Sequence, residues 1–275
     1  MDGKIIYFAI KMVECEVKLF CVLLVEEGKR RRGGGTFRKP KIKRVNCGDF
    51  GYEIISVRAK RNRLNYDKIC AAIKGRPTIK QVDINITDNG LIPLFDATRY
   101  RQHIEINTIL SILAKASEYK RIISIAFVDL DCRFCGCLEP LMNISREVYI
   151  ITNEIEQYNE YANEYFSLFG VAPIVTNSTD IQSKCSVIFS PEGKGILPLD
   201  KVVFAPKNEC YHIDDDCIST INGCPEKIDK IEFAGALFEL CNVERLGNIK
   251  GDYMKRNGVK EDIKSIVERI CLDIS

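Results

Sequence analysis

The 275-residue chain lacks an uncharged apolar stretch of membrane length. The longest near its start, Leu19 to Val25, falls far short of the roughly 20 residues that a span requires. Its opening residues are interrupted by Lys11, Glu14 and Glu16, so neither an uncharged h-region nor a small-residue cleavage site can be drawn. These two absences predict a cytoplasmic protein with no membrane partner. G-x-S-x-G, H-E-x-x-H and G-x-x-x-x-G-K-[ST] are also missing, which removes the commonest hydrolase, zinc-protease and P-loop readings. No internal repeat is present. With 46% hydrophobic and 28% charged residues, the chain is too apolar for disorder and long enough for one large core or two modest ones.

Cysteine is abundant, at thirteen residues, but the chain is neither short nor loop-rich, which argues for free thiols in a reducing compartment. Cys15, Cys21, Cys70, Cys185, Cys241 and Cys271 lie among apolar neighbours, where cysteine behaves as a small hydrophobe. The net charge of +2 conceals an asymmetry: residues 28–63 carry 13 Lys or Arg against two acidic residues, leaving the remainder acidic.

The pattern along the chain predicts an α/β protein. A β-rich N-terminal domain covers residues 1–95, and a Rossmann-like parallel sheet flanked by helices covers residues 96–275, whose C-terminal helices are free to pack back on the first domain. Lys4 to Lys11, Glu14 to Val25, Thr36 to Val45 and Tyr52 to Val57 read as strands of an antiparallel meander. Asn65 to Ile73 predicts a helix capped by Asn65 and stopped by Gly75 and Pro77, and Gln81 to Ile86 a strand. Asp96 to Tyr119 carries a broad apolar helical face. Arg121 to Val128 is the uninterrupted apolar run of a parallel strand covered on both faces. After it come a helix over Leu138 to Ile144, a strand at Glu147 to Ile151 and a helix from Glu154 to Phe169 that Gly170 closes. That helix would turn Ile155, Tyr158, Tyr161, Ala162, Tyr165 and Phe169 to one face. Further strands fall at Ala172 to Val175, Ser186 to Phe189 and Lys201 to Phe204, and helices at Ile228 to Cys241 and Lys260 to Leu272.

Several motifs in this wiring point the same way. Thr152-Asn153 ends the second strand, Tyr161-Ala162 through Phe169-Gly170 lies in the helix after it, and Ser190-Pro191-Glu192-Gly193 follows the fourth strand. Leu197-Pro198-Leu199-Asp200 runs into the fifth. With these, residues 122–206 resemble the NAD(P)-binding domain of the shikimate dehydrogenase-like group. The resemblance implies a cofactor across the C-terminal strand ends, with phosphates at the first loop, which holds Asp129, Asp131 and Gly136, the ribose near Asn153 or Glu154, and Ser190 and Gly193 as further cofactor-binding residues. The general rule for open α/β sheets puts a ligand at the same place.

The chain departs from the group at its first loop, Asp129-Leu130-Asp131-Cys132-Arg133-Phe134-Cys135-Gly136-Cys137. Pyrophosphate needs close backbone N–H groups, which glycine permits, yet only Gly136 is present, and Asp129 and Asp131 repel phosphate. Arg133 offsets one of those charges. The group's catalytic lysine and aspartate find no matching motif, so no catalytic residue is carried over and enzymatic activity stays open.

Two other constellations carry chemistry. Cys132, Cys135 and Cys137 in the first loop, with Cys210 and His212 after the fifth strand, offer thiolates and imidazole to Zn²⁺, or thiolates to an iron–sulfur cluster, although paired C-x2-C knuckles are absent. Cys135 and Cys137, near a helix N-terminus, are alternatively reactive thiols of lowered pKa. The basic run with Arg30, Arg31, Arg32, Arg38, Lys39 and Lys41 suits nucleic acid or an acidic protein, and equally a solvated edge strand whose lysines block aggregation. His103 reads as a surface residue and Asp214-Asp215-Asp216 as a solvated acidic loop. Three functions follow: a small ligand or partner held at the strand edge, an NAD(P)-dependent oxidoreductase, or a binder of nucleic acid or acidic partners through the basic hairpin. Neither NAD(P) nor Zn is favoured as cofactor.

Overall fold

The computed structural model describes residues 20–26, 39–47, 50–59, 64–83, 91–119, 123–196, 200–218, 221 and 223–272. In chain order these form β1 (Phe20–Glu26), β2 (Lys41–Cys47), β3 (Phe50–Arg58), α1 (Tyr66–Ile73) and β4 (Thr78–Lys80). Next come α2 (Thr98–Tyr119), β5 (Ile125–Val128), α3 (Leu138–Ile144), β6 (Val148–Ile151), α4 (Ile155–Phe169) and β7 (Ile174–Thr176). The chain continues through β8 (Val187–Phe189), β9 (Val202–Phe204), α5 (Lys230–Cys241), β10 (Tyr253–Arg256), β11 (Val259–Asp262) and α6 (Ile263–Leu272). Two compact units result, residues 1–96 with 224–243, and residues 97–223 with 244–275. The strand expected at Lys4 to Lys11, the second half of Gln81 to Ile86 (residues 84–86), and the basic residues Arg30, Arg31, Arg32 and Arg38 lie outside the described residues.

The first unit is a four-stranded sheet in the order β2-β3-β1-β4. The expected antiparallel meander is not what forms. Among the described strands of this unit β2 and β3 pair antiparallel, while β1 runs parallel to both β3 and β4. Inserted between those two strands, β1 is covered on both faces, and its first four residues are fully buried. Cys21 and Leu23 face a cluster with Ile55, Ile69 and Ile73 that involves α1. Phe20 alternates to the other side, stacking on Tyr52 at 5.4 Å, and both rings meet Phe233 of α5 edge-on. Helix α1 starts where predicted: the Asn65 side chain accepts from the Lys68 N–H at 3.0 Å, satisfying one of the orphan amides of the first turn. At its other end Lys74 takes a left-handed conformation and donates its N–H to Cys70 O.

The second unit holds a five-stranded sheet in the order β7-β6-β5-β8-β9, with every neighbouring pair parallel. It is a Rossmann-like sheet flanked by helices, in agreement with the reading of the apolar runs. Every residue of β5, β8 and β9 is buried, as strands covered on both faces require. Ala126, Val128, Ile151, Ile188 and Val203 build one core cluster with Cys185 and Cys210, and Phe127 packs on Phe189 with ring centroids 5.4 Å apart. Helix α4 ends at Gly170, whose φ of 72° lets its N–H close onto Phe166 O at 2.8 Å. Its buried residues are Tyr158 and Ala162, whereas Tyr161 and Phe169, expected on the same face, are exposed because the covered stripe is narrow.

The helix expected over Lys260 to Leu272 begins only at Ile263, because residues 259–262 pair with β10 as an antiparallel hairpin. Asn257 and Gly258, at φ 51° and 74°, form the two-residue turn that such a hairpin favours. Among the described residues no helix is long and apolar enough to cross a membrane.

Candidate functional site

In the order β7-β6-β5-β8-β9 the chain starts at the centre, steps outward twice, then returns to the other side of β5. The two connections leaving β5 and β8 therefore diverge, opening a crevice beyond the strand ends, the position at which open α/β sheets hold ligands. Its walls are residues 129–137 after β5 and residues 190–196 after β8.

Asp129 does not face this crevice. Its side chain is buried and accepts three hydrogen bonds, from the Arg133 N–H at 3.0 Å, the Phe134 N–H at 2.7 Å and the Tyr158 hydroxyl at 2.6 Å. The loop is thus folded around its own first carboxylate. Tyr158 comes from α4, and burial together with the Asp129 carboxylate drives its hydroxyl pKa far above the ordinary tyrosine value. Cys132 supplies the left-handed turn, at φ 52°. Gly136 has no atoms within 4 Å of where a β-carbon would stand, so close packing does not demand glycine there.

Asp131 is exposed at the mouth, where its carboxylate meets Lys194 Nζ at 2.8 Å. Lys194 also reaches Glu192 at 2.8 Å, and Glu192 receives Arg133 at 3.0 Å. Arg133 in turn lies 3.8 Å from Asp131. Four charges of alternating sign thereby tie the β5 loop to the β8 loop. The ion pair with Lys194 holds Asp131 below the usual carboxylate range, and both carboxylates raise the Lys194 pKa. Ser190 is buried and donates its hydroxyl to Lys194 O at 3.0 Å. Gly193, at φ 69°, takes a conformation that favours glycine; a β-carbon there would stand 3.3 Å from Lys207 Cε, which a small shift of that flexible side chain would relieve. Asn153 and Glu154 are exposed at the end of β6, and the Asn153 N–H donates to Leu130 O at 3.2 Å.

The nominated residues are therefore grouped at the C-terminal ends of β5, β6 and β8. Sequence reasoning did not reach the roles of Tyr158, Glu192 and Lys194. Tyr158 stands 29 residues from Asp129 and was legible only as an apolar helix position. Opposite charges at Asp131, Arg133, Glu192 and Lys194 were a readable signal once the two loops were expected side by side.

The metal set does not assemble: among the described residues no group of three or more His, Cys, Asp or Glu side chains is placed to hold a metal ion. Cys132 and Cys137 are buried, and His212 Nδ1 lies 2.9 Å from Cys210 O while its Nε2 turns toward Asp214 at 3.7 Å. Nor is Cys137 an activated thiol, because burial pushes it up to about 12, outweighing the helix start beside it. Burial raises Cys132 to about 11 as well. Asp214 and Asp216 do not form a free acidic loop, since both engage Lys255, at 2.9 and 2.8 Å, and Asp216 also engages Lys260 at 3.0 Å. His103 is half-buried, with Nε2 2.7 Å from Gly247 O. Of the basic set, Lys39 and Lys41 are described, and both are exposed at or beside the terminal strand β2.

No family model matches the chain, and no curated protein matches it. Among solved structures, quinate dehydrogenase from Corynebacterium glutamicum in complex with NAD matches at 10% identity, covering 78% of this chain and 87% of that one, with a TM-score of 0.32. L-tryptophan dehydrogenase from Nostoc punctiforme matches at 15% identity, covering 51% of this chain and 44% of that one, with a TM-score of 0.25. Likenesses this distant say nothing of activity, and the Rossmann-like assignment rests on the strand order and direction given above.

Proposed function

We propose that this protein binds a small ligand in the crevice between the loops that follow β5 and β8. The reading is carried by one observation, the reversal of strand order at β5 in an all-parallel sheet. The chemistry at the mouth supports it: Arg133 and Lys194 offer donors, Asp131 and Glu192 offer acceptors, and Asn153 offers both. A ligand with ionised groups would compete for these partners one pair at a time. No residue is assigned a catalytic role.

The test is native mass spectrometry of the full chain as purified, followed by amide NMR during titration with a panel of small metabolites. A retained small molecule, or saturable shifts at residues 131–133, 153 and 192–194, is the expected result. No retained mass and no shift at those positions across the panel would remove the proposal.

A second reading concerns β2. Lys39, Lys41, Lys43 and Arg44 are all exposed at or on this terminal strand, which suits nucleic acid or an acidic protein. It requires an affinity that falls steeply with salt and drops when Lys41 and Lys43 become alanine. A salt-independent affinity would leave these lysines as edge protection.

A further inference from the structure

We infer that the place where a Rossmann-like sheet receives a dinucleotide's pyrophosphate is filled in this protein by its own Asp129 side chain, so that a crevice ligand binds without a diphosphate on the first loop. The inference goes beyond the proposed function, since it concerns which ligand class is refused.

A pyrophosphate at the end of the first strand is held by backbone N–H groups that have no other partner and are reached closely because the loop is glycine-rich. Here two of those amides, on Arg133 and Phe134, already donate to the two oxygens of Asp129. The same carboxylate receives the Tyr158 hydroxyl, so three donors converge on it in a buried setting. A phosphate could occupy the seat only by expelling Asp129 into an apolar interior without those donors, or by lying against it as a second anion where charge is poorly screened. Burial and the Asp129 bond keep Tyr158 protonated through the working pH range, so its donation does not lapse in that range.

Two further features close the approach. The left-handed position of the loop is taken by Cys132, whose side chain is buried where a glycine would leave the backbone bare. Outside it, Asp131 and Glu192 stand at the mouth, paired to Lys194 and Arg133. The residues present therefore do not fit NAD(P) in the pose that the resemblance implies.

The inference is tested on the isotope-labelled full chain, titrated separately with NAD⁺, NADP⁺ and ADP while the amide signals of Arg133 and Phe134 are followed. Neither signal is expected to move, even if a nucleotide binds elsewhere and shifts other residues. Saturable shifts at these two amides with any of the three would overturn it. A second arm uses Asp129→Ser, whose fold is checked by the dispersion of its amide spectrum. In a folded variant the freed amides should respond to inorganic phosphate where the wild type does not, and a folded variant indifferent to phosphate would show that the carboxylate is not the barrier. If the variant does not fold, the wild-type titration decides alone. Failure to find any crevice ligand would remove the proposed function and leave this inference standing, whereas dinucleotide shifts at the two amides would do the reverse.

Discussion

The five-stranded sheet buries every residue of β5, β8 and β9 and runs in one direction throughout, whereas the four-stranded sheet ends in β2, which is exposed from Lys41 to Arg44 and runs against its neighbour. Both sheets have a strand covered on two faces, β5 in one and β1 in the other. The difference lies in what surrounds that strand. Around β5 all partners arrive through crossovers and are themselves covered. Around β1 the partner β3 is half of a hairpin whose outer strand faces water. Charge is densest in that outer strand, at Lys41, Lys43 and Arg44, whereas Glu53 of β3 is paired with Arg76.

The largest effect should come from matched truncations to alanine in the two sheets. Phe127→Ala in β5 removes a fully buried ring packed on Phe189 and should lower unfolding stability by about 3 to 5 kcal/mol in urea titration. Ile42→Ala in β2, where the side chain is 52% exposed, should stay within about 0.5 kcal/mol. A large loss at Ile42 would mean that β2 is covered and that the contrast between the sheets is wrong.

Next in size is Glu105 on α2. Its carboxyl is buried and its Oε1 has no hydrogen-bond partner among the described residues. Burial raises its pKa from 4.5 to about 7, opposed by the Ile213 N–H and Arg101 and aided by Asp214. The folded state thus binds more protons than the unfolded state between these values. The stability it contributes is complete below about pH 4.5 and is lost as pH rises through about 7, a decline on the order of 3 kcal/mol. Glu105→Gln should flatten that slope and leave the protein more stable than wild type at pH 8. An unchanged slope would place the titrating group elsewhere.

A smaller loss, about 2 kcal/mol, is expected for Tyr158→Phe, which keeps the ring but takes one donor from Asp129. Thermal unfolding at two pH values would measure it, and a neutral result would mean that the loop does not depend on α4. Smallest are Arg133→Ala and Lys194→Ala at the largely exposed mouth, each a slight loss that high salt nearly abolishes. A larger, salt-resistant loss would recast the four charges as a structural clasp.

Much of the parallel sheet was readable because its strands sit inside the protein on both faces, which leaves short runs free of charge in the sequence. Capping residues were readable for a related reason: Asn65 and Gly170 act on amides only a few positions away. The hairpin of β10 and β11 was missed, its second strand being read as the start of a helix: Asn257-Gly258 is a turn signal, but Lys255, Arg256, Lys260 and Glu261 leave the flanking alternation little apolar contrast. The direction of β1 was not readable, since alternation records which face a residue takes and not which way the neighbouring strand runs.

The site divides along the same line. Which residues gather at the strand ends followed from the order of strands and loops, and so did the unsuitability of an acidic loop for phosphate. That Asp129 turns inward, where Arg133, Phe134 and Tyr158 hold it, depended on a helix 29 residues away coming to rest over the loop. By itself, then, the sequence determined the elements and their caps, because those interactions act between near neighbours. Only the tertiary structure decided the direction of β1, whether the first-loop cysteines meet Cys210 and His212, and the partners of the first aspartate, because each depends on which groups far apart in the chain share one small, water-poor space.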